Sequence, residues 1–106
     1  MIFPKLVRDK IPKIIEDSGK TADKYIAIGE ELDRFLIRKI IEEVSEFEEN
    51  PCLEEAADVY EIFLAMLDNW KLNLSDVKNT AQIKKELRGA FYKGIILERV
   101  YGTNNE

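Results

Sequence analysis

Between Ile40 and Phe63 the chain reads IIEEVSEFEENPCLEEAADVYEIF, and from Glu42 to Glu61 it carries nine acidic residues and no lysine or arginine. Two pairs stand three residues apart, Glu43 with Glu46 and Glu55 with Asp58. On a helix, that spacing sends both carboxylates of a pair to one side. The chain contains no histidine and a single cysteine, Cys52, so the commonest zinc ligand and general base is missing and no internal disulfide can form. An all-oxygen cluster of this kind suits a hard divalent cation, Mg²⁺ or Mn²⁺, rather than zinc or copper.

Two helices must position these acids. From Glu30, Leu32, Phe35, Leu36, Ile40, Val44 and Phe47 recur at steps of three and four residues until Asn50-Pro51 stops the pattern. A second helix is predicted from about Cys52 to Trp70, with Ala56, Val59, Phe63, Met66 and Trp70 on one strip and Tyr60, Leu64 and Leu67 on another. Apolar on more than one side, it calls for several neighbours, and in so short a chain a second subunit is expected to supply some of them. Glu43 falls at the border of the first helix's apolar stripe, Glu46 a little further round, and Glu42 and Glu49 more remote. Glu55 projects from the same face as Val59, Ile62 and Met66, where an unpaired carboxylate costs several kcal/mol.

An antiparallel hairpin pivoting between Asn50 and Pro51 sets residues whose numbers add to 101 at one height. Glu46 then faces Glu55 and Glu43 faces Asp58. Packed helices lie about 8 to 10 Å apart, so four carboxylates converge on a small volume, and a cation resolves their repulsion. The competing reading is a solvated acidic face, and Glu48, Glu49, Glu54 and Glu61 fit it.

The remainder of the chain sets bounds. Its 106 residues, 45% hydrophobic and 35% charged, describe one small soluble domain spanning residues 1–106. No apolar run approaches the roughly 20 residues of a membrane span, and MIFPKLVRDK lacks the apolar stretch of a signal peptide, so a cytoplasmic location is expected. A net charge of −5 argues against broad electrostatic binding to nucleic acid or acidic membranes. Asp9 is a candidate cap for a short helix with Pro12 in its first turn and Gly19 just past its end, and Ser75 for a helix reaching Leu87 or Arg88 with Gly89 as its stop. Tyr25 to Ile28 reads as a short strand or an extended linker, and the tail AFYKGIILERVY has the character of a strand that could pair with it. The fold class is all-α, a helical bundle completed by oligomerisation, with residues 25–28 and 94–99 as candidates for a short β pairing.

Four stretches carry a family resemblance. EEVSE at 42–46 followed by EAAD at 55–58 resembles the EExxE and ExxD motifs of the MazG-like, all-α nucleoside triphosphate pyrophosphatases. KLVRDKIPKII at 5–15 and LRGAFYKGIILERV at 87–100 resemble the opening and closing segments of a branch of small house-cleaning pyrophosphatases in that superfamily. Only eight residues separate Glu46 from Glu55, shorter than the connector of many MazG proteins. The resemblance implies Mg²⁺-dependent cleavage of a nucleotide between its α and β phosphates, giving a monophosphate and pyrophosphate, by a homodimer or larger homo-oligomer. It implies Glu43, Glu46, Glu55 and Asp58 as metal ligands and Glu42 as the base or a ligand of a second metal. Phosphoribosyl-ATP pyrophosphohydrolase, of the same superfamily, is an alternative, and so is a non-catalytic helical binding or regulatory protein.

Basic side chains would hold phosphate that the metal does not. Candidates are Lys5, Arg8 and Lys10 in KLVRDK, Lys39 one turn before Glu43, and Arg88 and Lys93 around Gly89; Arg8 leads because guanidinium grips phosphate bidentately. Asp9 is read as a cap only. Trp70, Tyr60 and Phe91 could stack on a base, though Tyr60 and Trp70 are read as core.

Overall fold

The computed structural model describes residues 4–102 and contains four helices: α1 (Ile11–Asp17), α2 (Gly29–Glu49), α3 (Leu53–Asn69) and α4 (Leu74–Arg88). The first three residues of the N-terminal decapeptide lie outside the described residues. No strand occurs among the described residues, and the fold is all-α. None of the described helices is long and apolar enough to cross a membrane. The chain divides into two compact units, Met1–Asn73 and Leu74–Glu106.

In the first unit, α2 and α3 form the helical hairpin that Asn50-Pro51 dictates. Pro51 cannot continue the helix, and the Asn50 N–H donates to the Glu46 carbonyl as the last turn closes. Cys52, in extended conformation, precedes α3, whose first turn contains Glu54 and Glu55. Carboxylates there are favoured by the exposed N–H groups of the helix start. The two helices pack on each other, and the core between them is small: Leu36 from α2, Ile62 and Leu67 from α3, with the acidic Glu43 buried alongside.

α3 ends by a device that carries no sequence signal. Lys71 adopts a left-handed φ of 57°, and the Leu72 N–H returns to the Leu67 carbonyl at 2.8 Å, closing the helix as a glycine usually does. α1 ends as its sequence predicts. Gly19 takes φ 89°, and its N–H and that of Lys20 cap the carbonyls of Glu16 and Ile15.

Two expected helix caps and the candidate β pairing need correction. Lys10, not Asp9, occupies the N-cap of α1, with no side-chain cap hydrogen bond. α4 begins at Leu74, which places Ser75 inside its first turn rather than before it. Of the two readings of Tyr25 to Ile28 the linker holds: the segment joins α1 to α2, with the Tyr25 hydroxyl donating to Glu31 at 2.8 Å. Residues 94–99 likewise form no strand, so the β pairing is absent. β-branched composition needs a paired neighbour to become a sheet, and neither segment has one here.

The second unit consists of α4 and the segment after it. Lys85 and Arg88 in the last turn of α4 suit its negative end, and Gly89 at φ 84° closes it. Beyond it, Phe91, Ile95, Ile96, Leu97 and Val100 are exposed.

With so few buried side chains, each carries a large share of the hairpin's stability. Leu36→Ala is expected to destabilise the protein by about 2 to 3 kcal/mol and to lower its thermal midpoint by roughly 10 °C or more, read by circular dichroism at 222 nm. An unchanged midpoint would mean that the α2–α3 core is not what holds the unit together.

Candidate metal centre

The acids of α2 and α3 meet where the two helices face each other. Glu43 stands at the centre. Its carboxylate belongs to two trios, one with Glu42 and Glu46 along α2 and one with Glu55 and Asp58 across the hairpin, and within each trio the oxygens lie within 4.8 Å of one another. The expected facing of Glu43 and Asp58 is therefore present. The four expected ligands do not form one group, however: Glu46 joins the trio on its own helix, while Glu55 and Asp58 join the other.

Burial separates these carboxylates. Glu43 is 7% exposed, Glu55 and Asp58 are half-buried, and Glu46 is exposed. Glu48, Glu49, Glu54 and Glu61 are exposed, as a solvated face requires. Two oxygens, Oε2 of Glu43 and Oε2 of Glu55, are buried without a hydrogen-bond partner. A buried, unsatisfied carboxylate oxygen carries a desolvation cost of about 1 to 3 kcal/mol or more, and here two sit in neighbouring positions of one helical hairpin.

Basic residues offset part of the charge, and the sequence placed them only in outline. Lys39 Nζ lies 3.0 Å from Glu42 Oε1 and 3.2 Å from Glu43 Oε1, one turn along α2. Lys5 reaches Glu42 at 3.5 Å. Arg8 donates from Nη2 to Asp58 Oδ1 at 2.7 Å across fifty residues of sequence. Burial would lower the pKa of Lys39, but its hydrogen bonds to Glu42 and Glu43 outweigh that and raise it. The hydrogen bond from Lys39, helped by the charge of Lys5, in turn holds Glu42 below the usual carboxylate range. Glu46 moves the other way, pushed up chiefly by the negative charge of Glu43. The hydrogen bond to Asp58 raises the already high pKa of Arg8.

A cavity of about 380 Å³ adjoins the cross-hairpin trio. Leu6, Val7 and Arg8 of the N-terminal segment form one wall, Leu32, Leu36 and Lys39 of α2 another, and Ile62 and Ala65 of α3 a third. Its far end is polar, with Asp68 and with Asn69, whose side-chain amide donates to Asp33 at 2.8 Å. The contributions of Leu6, Val7, Asp68 and Asn69 were not foreseen. The apolar pair Leu6-Val7 is a weak signal, because which face of α3 the N-terminal segment covers is a long-range matter.

The remaining expectations divide. Lys5, Arg8 and Lys39 stand at the acids. Lys10 is exposed at the start of α1 and does not line the cavity. Arg88 ends α4 and Lys93 follows it, both exposed residues of the second unit. Tyr60 and Trp70, read as core, are 52% and 41% exposed, Tyr60 within α3 and Trp70 at its C-cap; Phe91 is exposed as well.

The donor set fits a hard divalent cation. Glu43, Glu55 and Asp58 offer oxygens only, and two of these oxygens are buried and unsatisfied. Comparisons with protein-family models, curated proteins and solved structures give no significant match to this chain.

Neutralising one of the unsatisfied oxygens removes like-charge repulsion but also a ligand. Glu55→Gln is expected to melt no lower than the parent without divalent metal and to lose the stabilisation that millimolar Mn²⁺ gives the parent, since a cation held only by the folded cluster raises the melting temperature by mass action. A Mn²⁺ shift of equal size in both proteins would exclude Glu55 from the site.

Proposed function

We propose that this protein is a nucleotide pyrophosphohydrolase dependent on Mg²⁺ or Mn²⁺, cleaving a nucleoside triphosphate between the α and β phosphates to a monophosphate and pyrophosphate. The observation that carries the proposal is the pair of buried, partnerless oxygens on Glu43 and Glu55, grouped with Asp58 across the hairpin. Such a cluster is costly as a structural ornament and useful as a cation site. The four sequence stretches that resemble the MazG-like pyrophosphatases supply the reaction class, and the family reading rests on those stretches alone.

Glu43, Glu55 and Asp58 would hold the cation, with Glu46 beside Glu43 on α2 as a further ligand. When bound, the ion neutralises phosphate oxygens and polarises the phosphoryl group under attack. The protein's own residues account for the rest. Lys39 and Lys5 keep Glu42 ionised, which suits it to accept a hydrogen bond from the attacking water and to orient it toward the α-phosphorus. As the water oxygen bonds to that phosphorus, the bridging P–O bond breaks and pyrophosphate leaves with its electron pair. A neighbouring carboxylate takes the water's proton. The adjoining cavity, where apolar residues such as Leu36 and Ile62 sit among charged and polar ones, suits the nucleoside portion.

The proposal includes self-association as a homodimer or larger homo-oligomer. Ile37, Ile41, Val44 and Phe47 on α2 and Leu53 and Tyr60 on α3 are exposed large hydrophobic residues of the hairpin, more apolar surface than a solvated monomer ordinarily leaves open. A cytoplasmic enzyme acting on the nucleotide pool is the setting this reading implies.

The test is a pyrophosphate-release screen with Mg²⁺ over common and damaged nucleoside triphosphates, with phosphoribosyl-ATP included, comparing the parent with a folded Glu43→Gln, Glu46→Gln double variant. Turnover of at least one nucleotide by the parent, and a fall of roughly 100-fold or more in the variant, is expected. No turnover of any nucleotide, or equal activity in the variant, overturns the assignment.

A further inference from the structure

Two cations stand against the carboxylates in different ways. Lys39 is itself largely buried, with its side chain 18% exposed, and contacts Glu43, whose side chain is 9% exposed. Arg8 and Asp58 are open, at 56% and 39%. Lys39 sits on α2 at a fixed helical offset from its partners, whereas Arg8 belongs to the non-helical segment before α1, held locally by the Ile11 N–H donating to the Arg8 carbonyl. A buried pair is expensive to break, and an exposed one costs little.

The Arg8–Asp58 contact is also badly placed for a passive ornament. Asp58 Oδ1 accepts the guanidinium at 2.7 Å, and the same carboxylate belongs to the trio with Glu43 and Glu55. A divalent cation bound by that trio would compete for Asp58 and repel the adjacent positive charge. We propose that Arg8 is an exchange residue: it neutralises Asp58 when the trio lacks a divalent cation and moves to a phosphate group of the bound polyphosphate when the cation takes Asp58. This rests on the reading of the trio as a cation site. Guanidinium is suited to both partners, because carboxylate and phosphate each accept its paired N–H groups in the same fork. Arg8 lines the cavity beside the trio, so the exchange moves one wall of that cavity.

The consequence is reciprocal coupling. Cation binding frees Arg8 for polyphosphate, and polyphosphate binding holds Arg8 away from Asp58, so each ligand strengthens the other by the same factor. Substitution of Arg8 then has opposite effects on the two ligands, a pattern that loss of a merely structural ion pair does not produce.

The test is calorimetric titration of wild type, Arg8→Gln and Arg8→Lys, first with MnCl₂ alone and then with the preformed Mg²⁺–tripolyphosphate complex at saturating free Mg²⁺. Arg8→Gln is expected to bind Mn²⁺ about 3- to 10-fold more tightly, as loss of an exposed competing pair allows, and Mg²⁺–tripolyphosphate at least roughly 10-fold more weakly. Arg8→Lys, which keeps the charge and loses the fork, shifts both constants in the same directions by less. Mn²⁺ affinity that is unchanged or weaker in both variants overturns the exchange, as does undiminished tripolyphosphate binding. If Mn²⁺ binds none of the three proteins, the cation-site reading falls and the exchange with it; if it binds all three equally, only the exchange falls.

Discussion

The organising constraint of the first unit is the burial of negative charge in a helical hairpin with a small core. Glu43 occupies a buried position on α2, two turns after Leu36, that a hydrophobic residue would fill at far lower cost, and Glu55 and Asp58 approach it from α3. The structure answers with cations on one side only. Lys39 satisfies Oε1 of Glu43 and Arg8 satisfies Oδ1 of Asp58, while Oε2 of Glu43 and Oε2 of Glu55 are left without a hydrogen-bond partner. The unbalanced residue of charge lies between the two helices, and it is the basis of the proposed cation site.

The same constraint gives the neighbouring groups their roles. Glu42, paired with Lys39 and Lys5, stays ionised beside the buried cluster without adding an unsatisfied oxygen to it. The N-terminal segment contributes Lys5 and Arg8 to the acids and Leu6 and Val7 to the cavity wall. A segment lacking regular structure is thereby tied to the hairpin by apolar contacts and by charge. The exposed Arg8–Asp58 pair is the part of that tie that costs little to rearrange, which is what an exchange between carboxylate and phosphate needs.

Much of this was legible in the sequence because it depends on local rules. The three- and four-residue recurrence of apolar side chains gives α2 and α3, Asn50-Pro51 fixes the pivot, and the pivot sets Glu43 opposite Asp58. The apolar position of Glu55 was equally readable, because a carboxylate in an apolar stripe conflicts with its surroundings whatever the tertiary fold. What escaped depends on long-range placement or on weak local signals. Arg8 meets Asp58 across fifty residues, and no periodicity encodes that. Lys71 ends α3 in a left-handed conformation for which its side chain gives no hint. Tyr60 and Trp70 have helical spacing but are largely exposed, and Tyr25–Ile28 and residues 94–99 have strand-like composition without a strand to pair with.

In the proposed site the partnerless oxygens of Glu43 and Glu55 bind a divalent cation. Anomalous diffraction from crystals grown with Mn²⁺, collected near the manganese absorption edge, tests this most directly. The expected map has an anomalous peak at coordination distance from both carboxylates, with Asp58 turned from Arg8 toward the ion. A map with no peak there, and with water or a lysine satisfying both oxygens instead, would contradict it.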